Sequence, residues 1–186
     1  MGRLTIIDTP IAGLKLVKTA PVGDHRGSFA RLFCAAELAP LGLPGPVVQI
    51  NHSFTAAKGA VRGLHFQRPP KTEAKLVRCL KGRVLDVAVD LRAGSPTFGT
   101  WHAVELSPEE HLAFYLPQGF AHGFQTLTPD CELLYLHTEY YSPEHEGGLR
   151  FDDPALAIPW PLPVADISGR DRTHPLLAEG FAPLET

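Results

Sequence analysis

The sequence predicts an all-β protein whose strands close into a small antiparallel barrel. Eighteen prolines and seventeen glycines interrupt the 186 residues, which is too often for a helical bundle and suits many short strands joined by tight turns. Several stretches alternate apolar with polar residues, as strands with one buried face do. We therefore expect a single domain over residues 1–186, with a barrel core at about 45–140 and a C-terminal arm at about 141–186 packed over it.

The composition of the chain argues against two classes of binding partner, nucleic acids and membranes. The formal net charge of −3 and the pI of about 6.3 give no basic face for nucleic acid, and no apolar run is long enough for a membrane span. Cys34, Cys79 and Cys131 are odd in number and widely spaced, and the chain starts without a basic-then-apolar signal segment. These features predict a cytoplasmic protein with unpaired thiols, binding neither nucleic acid nor membrane.

The first part of the chain contains short elements. The apolar runs 4–7 and 14–17 are bounded by prolines, which is typical of edge strands. Asp24-x-Arg26-Gly27 indicates a turn, and residues 35–39 have the propensity for a brief helix that Pro40 ends.

Residues 47–53 predict a strand with Gln49, Asn51 and Ser53 on its polar face. That face lines either a wet cavity or the solvent, and the pattern alone does not decide between them.

Residues 75–80 and 83–91, joined by Lys81-Gly82, predict a hairpin. Asp86 and Asp90 alternate with apolar residues in its second arm and would need polar partners inside a barrel. Further strands are expected at 101–106, 113–116 and 132–137, the last carrying Tyr135, with at most one helical turn at 107–110.

Two glycine-rich segments each place a histidine beside a predicted strand. Gly59 precedes His65 by six positions, and Pro117-x-Gly119-x-x-His122 follows further along. Both spacings resemble the two cupin motifs. The resemblance implies a cupin-type jelly roll in which both histidines face one cavity, usually around a metal.

The cupin metal set is incomplete. Gln67 stands where a second histidine is expected, and Thr126 stands where an asparagine is expected. Glu73 could still supply a carboxylate, so a metal site of two histidines and one carboxylate stays open as an alternative. Histidines retained without the remaining ligands favour acid/base chemistry.

A set of segments, in this order, resembles the dTDP-4-dehydrorhamnose 3,5-epimerase family along nearly the whole chain. They are Asp24-x-Arg26-Gly27, Gln49-x-Asn51-x-Ser53, Arg62-Gly63-Leu64-His65-Phe66-Gln67, Lys75-Leu76-Val77-Arg78, Asp86-Val87-x-Val89-Asp90, Ser95-Pro96-Thr97-Phe98-Gly99, Pro117-x-Gly119-Phe120-Ala121-His122-Gly123-Phe124, Trp160-Pro161 and Ser168-x-x-Asp171.

The resemblance implies a metal-free and cofactor-free cupin barrel, usually a homodimer. Its activity would be the epimerisation of a nucleotide diphosphate 4-keto-6-deoxyhexose at C3′ and C5′, from dTDP-4-dehydro-6-deoxyglucose to dTDP-4-dehydrorhamnose in dTDP-rhamnose biosynthesis. By position, His65 is the family's base and Asp171 orients it. Lys75 matches a cation near the developing enolate, and Tyr135 matches the acid that returns a proton to the opposite face.

The same resemblance assigns substrate binding to Arg26, Gln49, Asn51, Arg62, His122, Glu146 and Arg170. Arg31, Ile50 and Leu136 depart from well-known members, where a glutamate, an aspartate and a lysine stand. The departures leave open the nucleotide and the number of carbons that react. The alternatives are a mono-epimerase acting on a dTDP-, CDP- or GDP-linked 4-keto sugar, a metal-dependent cupin enzyme, and a non-catalytic sugar-nucleotide binder.

Overall fold

The computed structural model describes residues 2–186 and confirms the all-β jelly roll. Its strands, in chain order, are β1 (Leu4–Asp8), β2 (Lys15–Thr19), β3 (Val22–Asp24), β4 (Gly27–Phe29), β5 (Gln49–Thr55), β6 (Val61–Gln67), β7 (Lys75–Lys81), β8 (Val84–Asp90), β9 (Trp101–Leu106), β10 (Leu112–Leu116), β11 (Phe120–Thr126), β12 (Cys131–His137) and β13 (Glu146–Gly148). The short helices are α1 (Ala35–Leu38) and α2 (Gly169–Thr173), and a 3-10 turn spans Ala39–Leu41.

The strands form two antiparallel sheets and a separate hairpin. The six-stranded sheet has the order β1-β2-β10-β7-β12-β5, and the five-stranded sheet has the order β13-β6-β11-β8-β9. Strands β3 and β4 pair only with each other. The sheets extend beyond the range 45–140 in which the barrel core was expected, because β1 and β2 join the larger sheet and β13 joins the smaller one.

The hairpin predicted across Lys81-Gly82 is wrong. Strand β7 pairs with β10 and β12, whereas β8 pairs with β11 and β9. Gly82, with φ of 78°, turns the chain from one sheet to the other. Alternation correctly indicates that a strand has a buried face, but it does not identify the neighbouring strand, and in a jelly roll that neighbour is distant in sequence.

The core lies between the sheets and continues on both outer faces. Phe114 and Phe124 pack between the sheets, and Leu64 packs with the C-terminal arm at Leu156. A third cluster, which includes Leu38 of α1, covers the other face of the six-stranded sheet. Residues of the C-terminal segment, such as Leu156 and Ile158, therefore contribute to the core.

The acidic residues of β8 have the polar partners that burial requires. Asp90 is fully buried and binds the Arg92 guanidinium at 2.7 Å and the Ser95 and Thr97 hydroxyls at 2.7 and 2.6 Å. Asp86 contacts His122. Among residues 2–186 no helix has both the length and the apolar character that crossing a bilayer requires.

Candidate active site

A cleft of about 330 Å³ is lined by strands of both sheets and by the C-terminal arm. His65 and His122 both line it, as the two glycine-rich segments predict. Gln49, Asn51 and Ser53 of β5 also line the cleft. The polar face of this strand therefore faces the cavity rather than bulk solvent. The other lining residues are His52, Arg62, Phe66, Gln67, Glu73, Lys75, Phe124, Tyr135, His137, Tyr141, Glu146 and Arg170.

His65 on β6 and Asp171 on α2 form a hydrogen-bonded pair in which Asp171 is buried and His65 is partly buried. Asp171 Oδ1 accepts from His65 Nε2 at 2.8 Å, and Oδ2 accepts from the Gly63 backbone N–H at 3.1 Å. Ser168 caps α2, because its hydroxyl accepts from the Asp171 N–H at 3.0 Å. The carboxylate holds the ring proton on Nε2, so Nδ1 keeps the electron pair that can accept another proton.

The Asp171 carboxyl stays ionised. Burial raises its pKa, but the hydrogen bond from His65, the charge of His65 and the bond from Gly63 outweigh burial and lower the pKa to about 2. His174 lies nearby, with its Nε2 3.8 Å from Asp171 Oδ1, and burial lowers the pKa of its imidazole.

Lys75 reaches the cleft from β7 and is held by Glu73. The Lys75 ammonium lies 2.9 Å from Glu73 Oε1, and His137 Nδ1 lies 2.7 Å from Glu73 Oε2. Burial raises the pKa of Glu73, but the Lys75 charge and the His137 hydrogen bond reverse this and lower it to about 2. A carboxylate therefore fixes the position of the cation.

Tyr135 lies on β12 and points its hydroxyl toward Ser53, with 3.2 Å between the two oxygens. Burial raises the pKa of the phenol far above its usual range. The hydroxyl is therefore protonated at neutral pH. His122 packs edge-on to this ring, with centroids 6.0 Å apart, and its Nε2 lies 2.8 Å from the buried Asp86 Oδ1.

Polar residues continue to the cleft mouth. Gln49 Nε2 donates to Asn51 Oδ1 at 3.2 Å, and Asn51 Nδ2 lies 3.3 Å from His137 Nε2. The Arg170 guanidinium and the Tyr141 hydroxyl both donate to Glu146 Oε2, at 2.6 and 2.9 Å. The mouth thus carries amides, a carboxylate and a guanidinium in one connected set.

Arg26 is the one residue of the assigned binding set that the structure does not bring to the cleft. It lies at the turn of the β3–β4 hairpin, where its guanidinium binds Asp24 at 2.6 Å and its side chain is 78% exposed. The departures Arg31, Ile50 and Leu136 do not line the cleft either. Arg31 binds Glu37, Ile50 faces outward, and Leu136 is buried in the third core cluster.

Sequence reasoning missed several residues that complete the site. Glu73 was considered only as a metal ligand, although it binds Lys75 and His137. Asp86 was expected to need a partner, but the sequence did not identify His122 as that partner. Tyr141 and His174 were missed because neither belongs to a recognised sequence motif. The alternation of β12 does place Tyr135 and His137 on one face, and that signal was available.

The open alternative of two histidines and one carboxylate does not assemble in this structure. His65 binds Asp171, His122 binds Asp86, and Glu73 binds Lys75 and His137. Within residues 2–186, the one group of donors with metal-ligand spacing is His65, Asp171 and His174.

Comparison with known proteins identifies relatives over most of the chain. Residues 8–179 match the family model described as dTDP-4-dehydrorhamnose 3,5-epimerase. The enzyme of that name from Sinorhizobium fredii is 45% identical over 91% of this chain and 87% of its own. The one from Salmonella typhimurium is 43% identical over 96% of this chain and 98% of its own.

Solved structures share the architecture. The dTDP-6-deoxy-D-glucose-3,5-epimerase of Legionella pneumophila, in complex with dTDP-4-keto-L-rhamnose, superposes with a TM-score of 0.90 at 44% identity, covering 96% of this chain and 95% of that one. A 3′-monoepimerase from Streptomyces bikiniensis, in complex with dTDP-quinovose, has a TM-score of 0.85 at 36% identity, covering 92% and 87%.

Proposed function

This chain belongs to the dTDP-4-dehydrorhamnose 3,5-epimerase family, and on that premise we propose that it epimerises dTDP-4-dehydro-6-deoxyglucose at C3′ and C5′. The product is dTDP-4-dehydrorhamnose, an intermediate of dTDP-rhamnose biosynthesis. The observation that carries the proposal is one cleft lined by His65, Lys75 and the protonated Tyr135, in which His65 is hydrogen-bonded to Asp171 behind it.

Proton removal is the first step. A hydrogen on a carbon beside the C4′ ketone is acidic only if the enolate oxygen is stabilised. His65 Nδ1 takes that proton while Asp171 holds Nε2–H, and the electron pair of the broken C–H bond moves to the ketone oxygen. Lys75, fixed by Glu73 at 2.9 Å, faces the developing negative charge.

Proton return completes the inversion. Tyr135 gives its hydroxyl proton to the opposite face of the enolate carbon, and the electron pair returns from oxygen to re-form the ketone. His65 then loses its proton to solvent and Tyr135 regains one. The same cycle at the second carbon inverts the other centre.

Substrate binding is assigned to polar residues around the cleft. Arg62 and Arg170 are suited to the diphosphate, because a guanidinium fork matches phosphate oxygens. We assign binding of the sugar and of the nucleotide base to Gln49, Asn51, His122 and Glu146, which line the same cleft.

A homodimer would bring Arg26 to a cleft. Phe29 at the end of the hairpin is 73% exposed, and Ile50 and Phe54 on edge strand β5 are 62% and 50% exposed. We propose that a second copy covers these exposed apolar side chains. Since Arg26 lies outside the cleft of its own chain, it can bind substrate only in the cleft of the partner.

The cytoplasm is the proposed site of the reaction, because Cys34, Cys79 and Cys131 are all free thiols. A single-centre reaction is the second candidate function, and the similarity to the Streptomyces bikiniensis 3′-monoepimerase favours it.

The test is product stereochemistry. Purified protein is incubated with dTDP-4-dehydro-6-deoxyglucose, and the product is trapped with a 4-ketoreductase. We expect dTDP-L-rhamnose. A 6-deoxy sugar inverted at one carbon would identify the mono-epimerase, and recovery of unchanged substrate would refute both proposals.

A further inference from the structure

We propose that His65, Asp171 and His174 form a Zn²⁺ site, and that Zn²⁺ bound there switches the enzyme off. The metal site stands on the geometry of these three residues alone. The inhibition rests in addition on the proposed function, in which His65 is the base.

The three donor atoms already have nearly the spacing of zinc ligands. They lie within 4.8 Å of one another, with His65 Nε2 at 2.8 Å and His174 Nε2 at 3.8 Å from Asp171 Oδ1. In a tetrahedral site with bonds of about 2.0–2.2 Å, neighbouring ligand atoms are roughly 3.3 Å apart. The two observed distances to Asp171 lie on either side of this value, and no separation among the three donors exceeds 4.8 Å, so side-chain rotation has to bring the donors to a common distance from the ion.

The unpartnered nitrogen of His174 is the observation that indicates a ligand at this site. Its Nε2 is buried and makes no hydrogen bond within residues 2–186. The ring fits against Gly148, where a Cβ would come within 2.4 Å of Nε2. A buried imidazole nitrogen without a partner is costly, and a metal bond would satisfy it. Two imidazoles and one carboxylate are donors that Zn²⁺ accepts, with water in the fourth position.

A second cavity reaches two of the three proposed ligands, His65 and Asp171. This space of about 280 Å³ is lined by His65, Asp171 and Ser168, on the side of Thr55. The Arg170 guanidinium opposes the ion, because it lies 3.5 Å from His65 Nε2 and 3.8 Å from Asp171 Oδ1. Part of this repulsion is offset by Glu146, which binds Arg170 at 2.6 Å.

Zinc binding and base action exclude each other. The metal takes the electron pair of His65 Nε2, and the ring proton that Nε2 carried moves to Nδ1. Nδ1 then holds a proton and cannot accept one from the sugar. The occupied enzyme therefore has no base, whereas removal of the ion restores it.

The experiment is calorimetric titration of the untagged full chain with Zn²⁺ alone, followed by inhibition of solvent exchange into substrate. We expect one Zn²⁺ per chain, inhibition that saturates with the same concentration dependence, and full recovery with EDTA. His174→Ala should weaken Zn²⁺ binding at least 10-fold, and Arg170→Gln should strengthen it.

His52→Ala is the matched control, because His52 also pairs with a carboxylate, Glu132 at 3.1 Å, but has no third donor. It should leave Zn²⁺ affinity unchanged. His174→Gln serves as a second variant if the alanine protein does not fold. Unchanged Zn²⁺ affinity in the folded His174 variant, or absence of binding to the wild-type chain, would overturn the proposal. The titration needs no substrate, so failure of the proposed function would not alter it.

Discussion

Each proposed catalytic side chain is held in place by its surroundings. Asp171 holds the proton of His65 on Nε2, Glu73 holds Lys75, and burial keeps the Tyr135 hydroxyl protonated. The sequence indicated Asp171 through the family resemblance. It could not indicate the role of Glu73, because its contacts with Lys75 and His137 form only where the loop before β7 meets the end of β12.

Tyr135→Phe should separate the two proton transfers. The phenyl ring keeps the packing against His122 but has no proton to return. We expect epimerisation to fall by about 10²–10⁴-fold, and loss of substrate hydrogen to solvent to fall much less, since His65 remains. NMR of the product and of the washed-out hydrogen measures both rates. Tyr115→Phe, buried outside the cleft, is the control. Equal losses in the two rates would exclude Tyr135 as the acid.

Asp171→Asn should leave the His65 ring in place but should no longer keep its proton on Nε2. An amide presents either its carbonyl or its NH₂ to Nε2, so the carboxylate no longer fixes the proton there. We expect kcat for exchange to fall by about 10²–10⁴-fold with little change in KM. Steady-state kinetics measures the split. A change confined to KM would mean that Asp171 serves binding rather than the base.

The elements that carry the site approach one another at glycines. Gly63 on β6, with φ of 124°, faces Gly123 on β11, and a Cβ on Gly63 would come within 2.5 Å of the Gly123 Cα. This contact lets β6 and β11 place His65 and His122 side by side in the register. The sequence showed the glycines beside both histidines, which was sufficient to predict a close approach.

Gly63→Ala should therefore force β6 and β11 apart. We expect a loss of about 1–3 kcal/mol in the free energy of unfolding and a fall in activity, because both histidines shift. Gly94→Ala is the matched control, since Gly94 also has a positive φ, of 67°, but nothing lies within 4 Å of its Cβ position. Urea unfolding compares them. Equal losses would mean that backbone strain, and not crowding, determines the effect.

The fold as a whole was largely predictable, whereas strand pairing was not. Alternating residues predicted most strands. The connection at Gly82 was misassigned, because a tight turn between two alternating stretches has the same sequence pattern in a hairpin as in a crossing between sheets. The position of Arg26 outside the cleft of its own chain was also invisible, since a motif specifies a residue but not its place in the fold.

The carboxyl groups of Glu73 and Asp171 should make the free energy of unfolding depend on pH in the acid range. The pKa values of Glu73 and Asp171 are about 2 in the folded protein, against about 4 in an unfolded chain. Their stabilisation is therefore complete above about pH 5 and is lost as the pH falls toward 2. Glu73→Gln should reduce the stability lost between pH 6 and 3, measured by urea unfolding. Asp8→Asn, with a side chain 83% exposed, should change it little. An unaltered loss in Glu73→Gln would contradict the low pKa.

Mixing two inactive variants tests whether Arg26 acts in the partner's cleft. If the protein is the proposed homodimer, the His65→Ala and Arg26→Ala variants should each be severely impaired. After unfolding and refolding together, a mixed dimer has one cleft with both His65 and the partner's Arg26. Random pairing should restore about a quarter of wild-type activity. No recovery in a mixture shown to contain mixed dimers would place Arg26 in its own chain's cleft or outside catalysis.

The most direct test of the whole account is NMR of dTDP-4-dehydro-6-deoxyglucose incubated with the protein in deuterated water. Abstraction by His65 and return of a solvent-derived proton require deuterium to appear at both C3′ and C5′, and His65→Ala should abolish incorporation at both. Incorporation that persists in folded His65→Ala, or none with the wild-type protein, would contradict the account.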